Sequence, residues 1–450
     1  MSTPYLIRHA TLVNEGKTIK ADVAIADGLI KAILSEGSIL PEEYFSWYQI
    51  DAKGKVLIPG VIDDQVHFRE PGLTYKGDIY TESRAAIAGG ITSFMEMPNT
   101  IPNALSNILL EEKYQIAAEK SPANYSFYLG ASNDNISEVI KADPAMICGI
   151  KVFMGSSTGN MLVDNKQSLQ RIFAEAPCLV AVHCEHEPTV QANVTAFMKQ
   201  FGKDANPSIH PLIRNTEACY RSSVEAVELA EHYNTRLHVL HLSSALEMNL
   251  FSNSSSLSEK RITAEVCLHH LWFSDEDYHK KGNLIKWNPA VKSAADREAL
   301  WKALLDDRLD VIATDHAPHS FDEKSAPYFS CPSGGPMVQH LLPAMLEFYH
   351  EGRISLEKIV EKMCHNPAIA FNIENRGFVR EGYYADLVLL DLDKPSIVSS
   401  DNIMYKCGWS PLEGQYLRSS VTHTFVNGNL VYENGVVYDN HKGMRLKFVR

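Results

Sequence analysis

The stretch Val61-Ile-Asp-Asp-Gln-Val-His-Phe-Arg-Glu-Pro-Gly72 begins as an apolar run, turns polar, and stops at a proline–glycine pair. Read as a strand, it places Asp63, Gln65 and His67 on one face, because successive side chains alternate. The same texture recurs along the chain. Apolar strand candidates occupy 56–67, 91–98, 124–131, 147–154, 178–184, 236–243, 261–268 and 309–315, and helix-like segments such as 77–88, 104–119 and 216–233 lie between most of them. Eight strands alternating with helices predict an α/β fold, a parallel (β/α)8 barrel. Nearly every strand candidate ends in residues able to do chemistry: Gln65 and His67, Asn99, Lys151, His183, His241, His269 and His270, then Asp315 and His319. Barrel enzymes carry their active sites at the C-terminal ends of the strands.

Outside this run the pattern changes. Tyr5-Leu-Ile-Arg-His-Ala-Thr-Leu-Val and Ala21-Asp-Val-Ala-Ile alternate at period two, as do Ala385-Asp-Leu-Val-Leu-Leu and Val421-Thr-His-Thr-Phe-Val near the other end. Two β-rich ends flanking a long middle predict one small β-sandwich domain built from both termini. The expected division is 1–55 and 379–450 for the β-sandwich and 56–378 for the barrel, with helices over 337–372 closing it.

A net charge of −13 over 450 residues argues against a nucleic-acid-binding role, which needs clustered Lys and Arg. Met1-Ser-Thr-Pro-Tyr lacks a leader pattern, and no apolar run has the length of a membrane helix. The eight cysteines contain no Cys-x-x-Cys pair, which fits a reducing compartment better than a zinc ribbon or a disulfide framework. A cytoplasmic protein is expected, with no membrane partner.

Individually the polar residues have ordinary explanations. A lone strand histidine is more often structural, Lys151 in Ile150-Lys-Val-Phe-Met154 could reach solvent from an edge, and Asp315 could cap a helix. Together they favour a metal. Imidazole is a good zinc ligand, and catalytic zinc takes about three protein ligands. In Leu237-His-Val-Leu-His241, His241 lies nearer the strand end than His238 and is the expected ligand. A buried Lys must lose its charge or find an anion.

Gly60 through Gly72, Ala88-Gly-Gly-Ile-Thr with Met97-Pro-Asn-Thr100, Lys151, the strand-end histidines and Thr314-Asp-His-Ala-Pro-His319 together resemble the dihydroorotases of the amidohydrolase superfamily. The resemblance spans essentially the whole chain. It implies Zn²⁺, one or two ions, held by His67, a carbamylated Lys151, His183, His241 and Asp315. It implies substrate contacts from His67, Arg69, Asn99, Asn288 and His319, and more loosely from the loop containing Ser333 and Gly334. It also implies a homo-oligomer, a dimer, and a small-molecule substrate: dihydroorotate, hydrolysed reversibly to carbamoyl aspartate in pyrimidine biosynthesis. Asp315 would serve as general base and then acid. Arg69 would grip the substrate carboxylate with its planar fork. His269 and His270 would be structural.

One position departs from the pattern. The family usually has His-x-His on the first strand, and this chain has Gln65-Val-His67. A glutamine oxygen is a poorer zinc ligand than imidazole, so the metal position that Gln65 lines is the weaker one. Two rival readings follow: an allantoinase or hydantoinase, whose substrates lack the ring carboxylate, and a non-catalytic scaffold that kept the fold. Gln65 favours the scaffold. Lys151, His183, His241 and Asp315 weigh against it, because buried polar groups without a task are costly.

Overall fold

The computed structural model describes residues 3–155 and 160–450; Met1 and Ser2 of the segment inspected for a leader lie outside them. Eight parallel strands, here β1 to β8, pair in strict chain order: Val61–Val66, Ile91–Glu96, Asn124–Gly130, Gly149–Phe153, Val180–His183, Leu237–Val239, Ile262–Cys267 and Val311–Ala313. The ring closes between β8 and β1. His67 N donates to His316 O at 2.7 Å, and the Thr314 hydroxyl donates to Asp63 Oδ2. The barrel predicted from strand–helix alternation is present.

Local chemistry sets the helices. Ile79–Ala88 starts at a reciprocal cap between Asp78 and Thr81 and ends at Gly89. Thr216–Tyr233 is capped by Asn215 and ends at Asn234, which adopts a left-handed conformation. Caps satisfy backbone donors that a helix start otherwise leaves orphaned. The 337–372 region is helical, as read, through Leu341–His350, Leu356–Val360 and Asn366–Phe371.

Both termini contribute to one nine-stranded sheet, the expected small β domain. Its order runs Val436–Val437, Asn429–Glu433, Ser420–Val426, Leu387–Asp391, Val56–Pro59, Tyr5–Asn14, Lys17–Ala26 and Leu29–Ser35, with Tyr48–Asp51 beside Tyr5–Asn14. Alternation splits its side chains between two cores. Leu57, Leu387, Leu389 and Phe425 enclose the sheet's own core. Val56, Ile58, Val388 and Leu390 belong to the core shared with the barrel. The domain is thereby welded to the barrel, each fully buried aliphatic side chain contributing about 1.5–3 kcal/mol.

Two local expectations are corrected. The run 56–67 is two strands: Val56–Pro59 pairs with Tyr5–Asn14 and Leu387–Asp391, and only Val61–Val66 enters the barrel. The switch occurs at Gly60, where a Cβ would lie 2.0 Å from Thr92 Oγ1. Asp63 does not share a face with Gln65 and His67. The pairing of β1 with β2 shifts register between Asp63 and Val66, and such a bulge re-aims side chains. Asp63 accepts hydrogen bonds from Thr314, while Asp64 faces the barrel interior.

Candidate active site

A cavity of about 280 Å³ opens at the C-terminal ends of the barrel strands. It brings together the residues expected as metal ligands or substrate contacts: His67, Arg69, Asn99, Lys151, His183, His241, Asn288, Asp315, His319, Ser333 and Gly334. Gln65, Phe153 and Trp287 complete much of its wall. His238, the alternative to His241, is not among the lining residues. Arg69, His241 and Asp315 all have positive φ, between 38° and 71°. Left-handed backbone costs a non-glycine residue about 1–3 kcal/mol and clusters at functional sites; here it turns the chain sharply as it leaves the strands.

Two imidazoles face each other at 3.0 Å, His183 Nδ1 and His241 Nε2. Burial lowers the pKa of both rings, so neutral rings offer lone pairs. Glu185, two residues beyond His183, decides the tautomer. His183 Nε2–H donates to Glu185 Oε2 at 2.9 Å, leaving Nδ1 as an electron-pair donor toward the cavity. Burial works against the Glu185 carboxylate, but Arg214 and His183 outweigh it and hold its pKa well below the usual range. A carboxylate behind a ligating imidazole is the usual support of a metal-binding histidine.

Lys151 is 1% exposed. Among the described residues no carboxylate lies within 4.0 Å of its amine, which sits 4.6 Å from the Phe153 ring centroid. Burial brings its pKa down to about 7, so the neutral amine is readily reached. On the opposite wall, His67 Nδ1–H donates to Asn99 Oδ1 at 2.7 Å, and His67 Nε2 faces Asp315 Oδ1 at 3.2 Å. Gln65 turns its amide nitrogen, not its oxygen, toward Asp315 at 3.3 Å, and its oxygen accepts from Cys267 Sγ. A glutamine presenting N–H cannot ligate a metal in that orientation. The cavity's donors come as two pairs, His183 with His241 and His67 with Asp315, and Gln65 in this orientation adds none.

Arg69 is 7% exposed, and burial lowers its pKa to about 10. Its Nε donates to Pro318 O at 3.0 Å and its Nη2 lies 3.1 Å from His319 Nε2. Among the described residues no carboxylate comes within 4.0 Å of the guanidinium. His319 is a neutral ring, its pKa pushed to about 3 by burial and by Arg69. Lys76 Nζ lies 3.0 Å from His319 Nδ1, and His319 Nε2 lies between Arg69 Nη2 and Ser333 O, 3.0 Å from the latter.

Sequence reading missed the supports behind these groups. Glu185 had a signal, its strand parity with His183. Two buried lysines had none: Lys286 donates to Tyr328 O and Cys331 O, and Lys324 donates to Pro332 O and Gly334 O. They fasten the loop that carries Ser333 and Gly334. At Gly334, with φ 123°, a Cβ would lie 2.6 Å from Ala317 O. His269 stacks on Trp287 at 4.4 Å, outside the cavity lining.

The model of the Amidohydrolase family matches residues 56–431. A dihydroorotase from Methanothermobacter thermautotrophicus is 32% identical over 427 residues, 94% of each chain. One from Pyrococcus furiosus is 32% identical over 431 residues, 96% of this chain and 93% of that protein. Among solved structures, the L-hydantoinase (dihydropyrimidinase) of Arthrobacter aurescens superposes with a TM-score of 0.91 at 28% identity, covering 97% of this chain and 98% of its own.

Proposed function

Because this chain belongs to the amidohydrolase family and is a hydrolase acting on cyclic amides, we propose that its substrate is dihydroorotate, opened reversibly to carbamoyl aspartate. The observation that carries this choice is Arg69. A buried guanidinium without a carboxylate partner, facing a cavity, calls for an anion from the ligand. Dihydroorotate carries a ring carboxylate; hydantoin and allantoin do not. The likeness to a hydantoinase structure favours the same fold and reaction type, and leaves Arg69 without a task.

His67, His183, His241, Asp315 and a carbamylated Lys151 are the residues that would hold zinc. Zinc so placed supplies Lewis acidity, bringing the pKa of water down from 15.7 to about 7 and polarising a carbonyl. The protein's own residues do the rest. Arg69 and Asn99 anchor the substrate carboxylate, and His319 with the Ser333–Gly334 loop borders the ring. Asp315 Oδ1, reached by Gln65 and His67, takes a proton from the attacking water and returns it to the leaving amide nitrogen, acting as base and then acid. Lys151 adds carbon dioxide through its neutral amine, losing one proton, and the resulting carbamate supplies the anionic oxygen.

The test is a substrate panel run on purified protein with its zinc content measured. Dihydroorotate turned over far faster than hydantoin or allantoin supports the reading. A preference for an uncharged cyclic amide would sink it.

A further inference from the structure

Below the cavity, β1, β6 and β7 each turn one more polar side chain into the barrel. Asp64, His238 and Glu265 are all fully buried and none lines the cavity. β1 and β6 are not neighbours in the sheet, so Asp64 and His238 meet across the barrel interior. One ligand atom from each of the three residues lies within 4.8 Å of the others, the one such group of His, Cys, Asp or Glu among the described residues.

The hydrogen-bonding pattern singles this cluster out. Thr263 donates its hydroxyl to Leu237 O, so its oxygen accepts from His238 Nδ1–H at 2.7 Å. His238 Nε2 then faces Asp64 Oδ2 at 3.1 Å and Glu265 Oε2 at 3.5 Å. Neither approach has hydrogen-bond geometry: His238 Nε2, both Asp64 oxygens and Glu265 Oε2 have no hydrogen-bond partner. An N–H···O bond spans about 2.7–3.2 Å, so the Glu265 approach lies outside that range and the Asp64 approach near its upper end. Donor atoms about 2.0–2.1 Å from a tetrahedral ion stand about 3.3 Å apart, between the two spacings.

We propose that Asp64, His238 and Glu265 hold a divalent transition-metal ion in the barrel interior, a structural site separate from the zinc site of the cavity. One Asp64 oxygen, one Glu265 oxygen and one imidazole nitrogen make three protein donors, a set suited to zinc or manganese. Calcium takes six or more oxygens and magnesium keeps several waters, which this closed cluster does not provide. The ion would tie β1 to β6 and β7, and it would enter during folding, because none of its ligands is exposed. This inference depends neither on the substrate nor on zinc at the cavity.

Metal analysis at two stages tests it: native protein exhaustively treated with EDTA, then the same protein unfolded in guanidinium. About one equivalent of zinc or manganese per chain should survive EDTA and appear only on unfolding, since a structural site couples release to unfolding. The H183A/H241A variant, which removes the cavity pair, should retain that equivalent. D64N and E265Q, each nearly isosteric, should lose it while keeping near-UV circular dichroism. Absence of the unfolding-released metal from wild type or from H183A/H241A overturns the proposal, as does its retention in D64N and E265Q. Loss of only the EDTA-accessible metal in H183A/H241A identifies the cavity site independently.

Discussion

Replacing Arg69 with lysine keeps a positive charge in the cavity and removes the planar fork. In the native protein Nε is committed to Pro318 O and Nη2 lies beside His319, so the outer edge of the guanidinium is what remains for a ligand carboxylate. The lysine ammonium can make a point contact there but cannot reproduce two parallel N–H···O bonds. One charge-assisted bond is worth about 1.5–3 kcal/mol, and each 1.36 kcal/mol is tenfold in rate. At 7% exposure little water is present to compensate, so kcat/KM for dihydroorotate should fall roughly ten- to a hundredfold or more. The assay compares that loss with the effect on an uncharged hydantoin, using the same preparation and measured zinc content. Hydantoin hydrolysis should change far less. Equal losses on both substrates, at unchanged zinc, would refute a carboxylate-gripping role for Arg69.

Intact-mass measurement under native conditions should show Lys151 carrying one added carbon dioxide, and Lys151→Ala should be nearly inactive yet partly rescued by a small carboxylic acid. Glu185→Gln keeps an acceptor for His183 but removes the charge behind it; zinc affinity should fall about ten- to a hundredfold in a competition titration, as for other outer supports of ligating histidines. Lys324 tests linkage. Burial lowers its pKa from 10.5 to about 7, so the folded state binds fewer protons than the unfolded state between those values. Stability should therefore rise with pH across that window. Lys324→Met should flatten this rise by an amount on the order of a few kcal/mol in denaturant titrations at pH 6.5 and 9.5; an unchanged slope would show that the amine is not buried as described.

How much of this was legible beforehand follows from the range of each signal. Alternation and helix caps act over a few residues, so the eight strands, the helices between them and the β-rich ends could be read directly from the sequence. Barrel geometry then gathered His67, Lys151, His183, His241 and Asp315 at one end without any knowledge of contacts, because strand C-termini converge there. Val56–Pro59 was different. An apolar run of four cannot say which sheet it joins, and its partners Tyr5–Asn14 and Leu387–Asp391 lie far away in sequence.

Only the closed ring decided the rest. His238 and His241 are both apolar-strand histidines, and it took the packed barrel to send one to the cavity and the other to Asp64 and Glu265. The Gln65 amide could have pointed its oxygen at a metal; Asp315 and Cys267 set the opposite orientation. Lys286 and Lys324 look like surface residues until their hydrogen bonds to the Tyr328–Gly334 loop are seen. The sequence by itself determined which side chains each strand delivers, since that depends on a period of two. Which atom each side chain presents, and in which protonation state, is decided by its neighbours in space, some of them hundreds of residues away, and these meet only once the chain has folded.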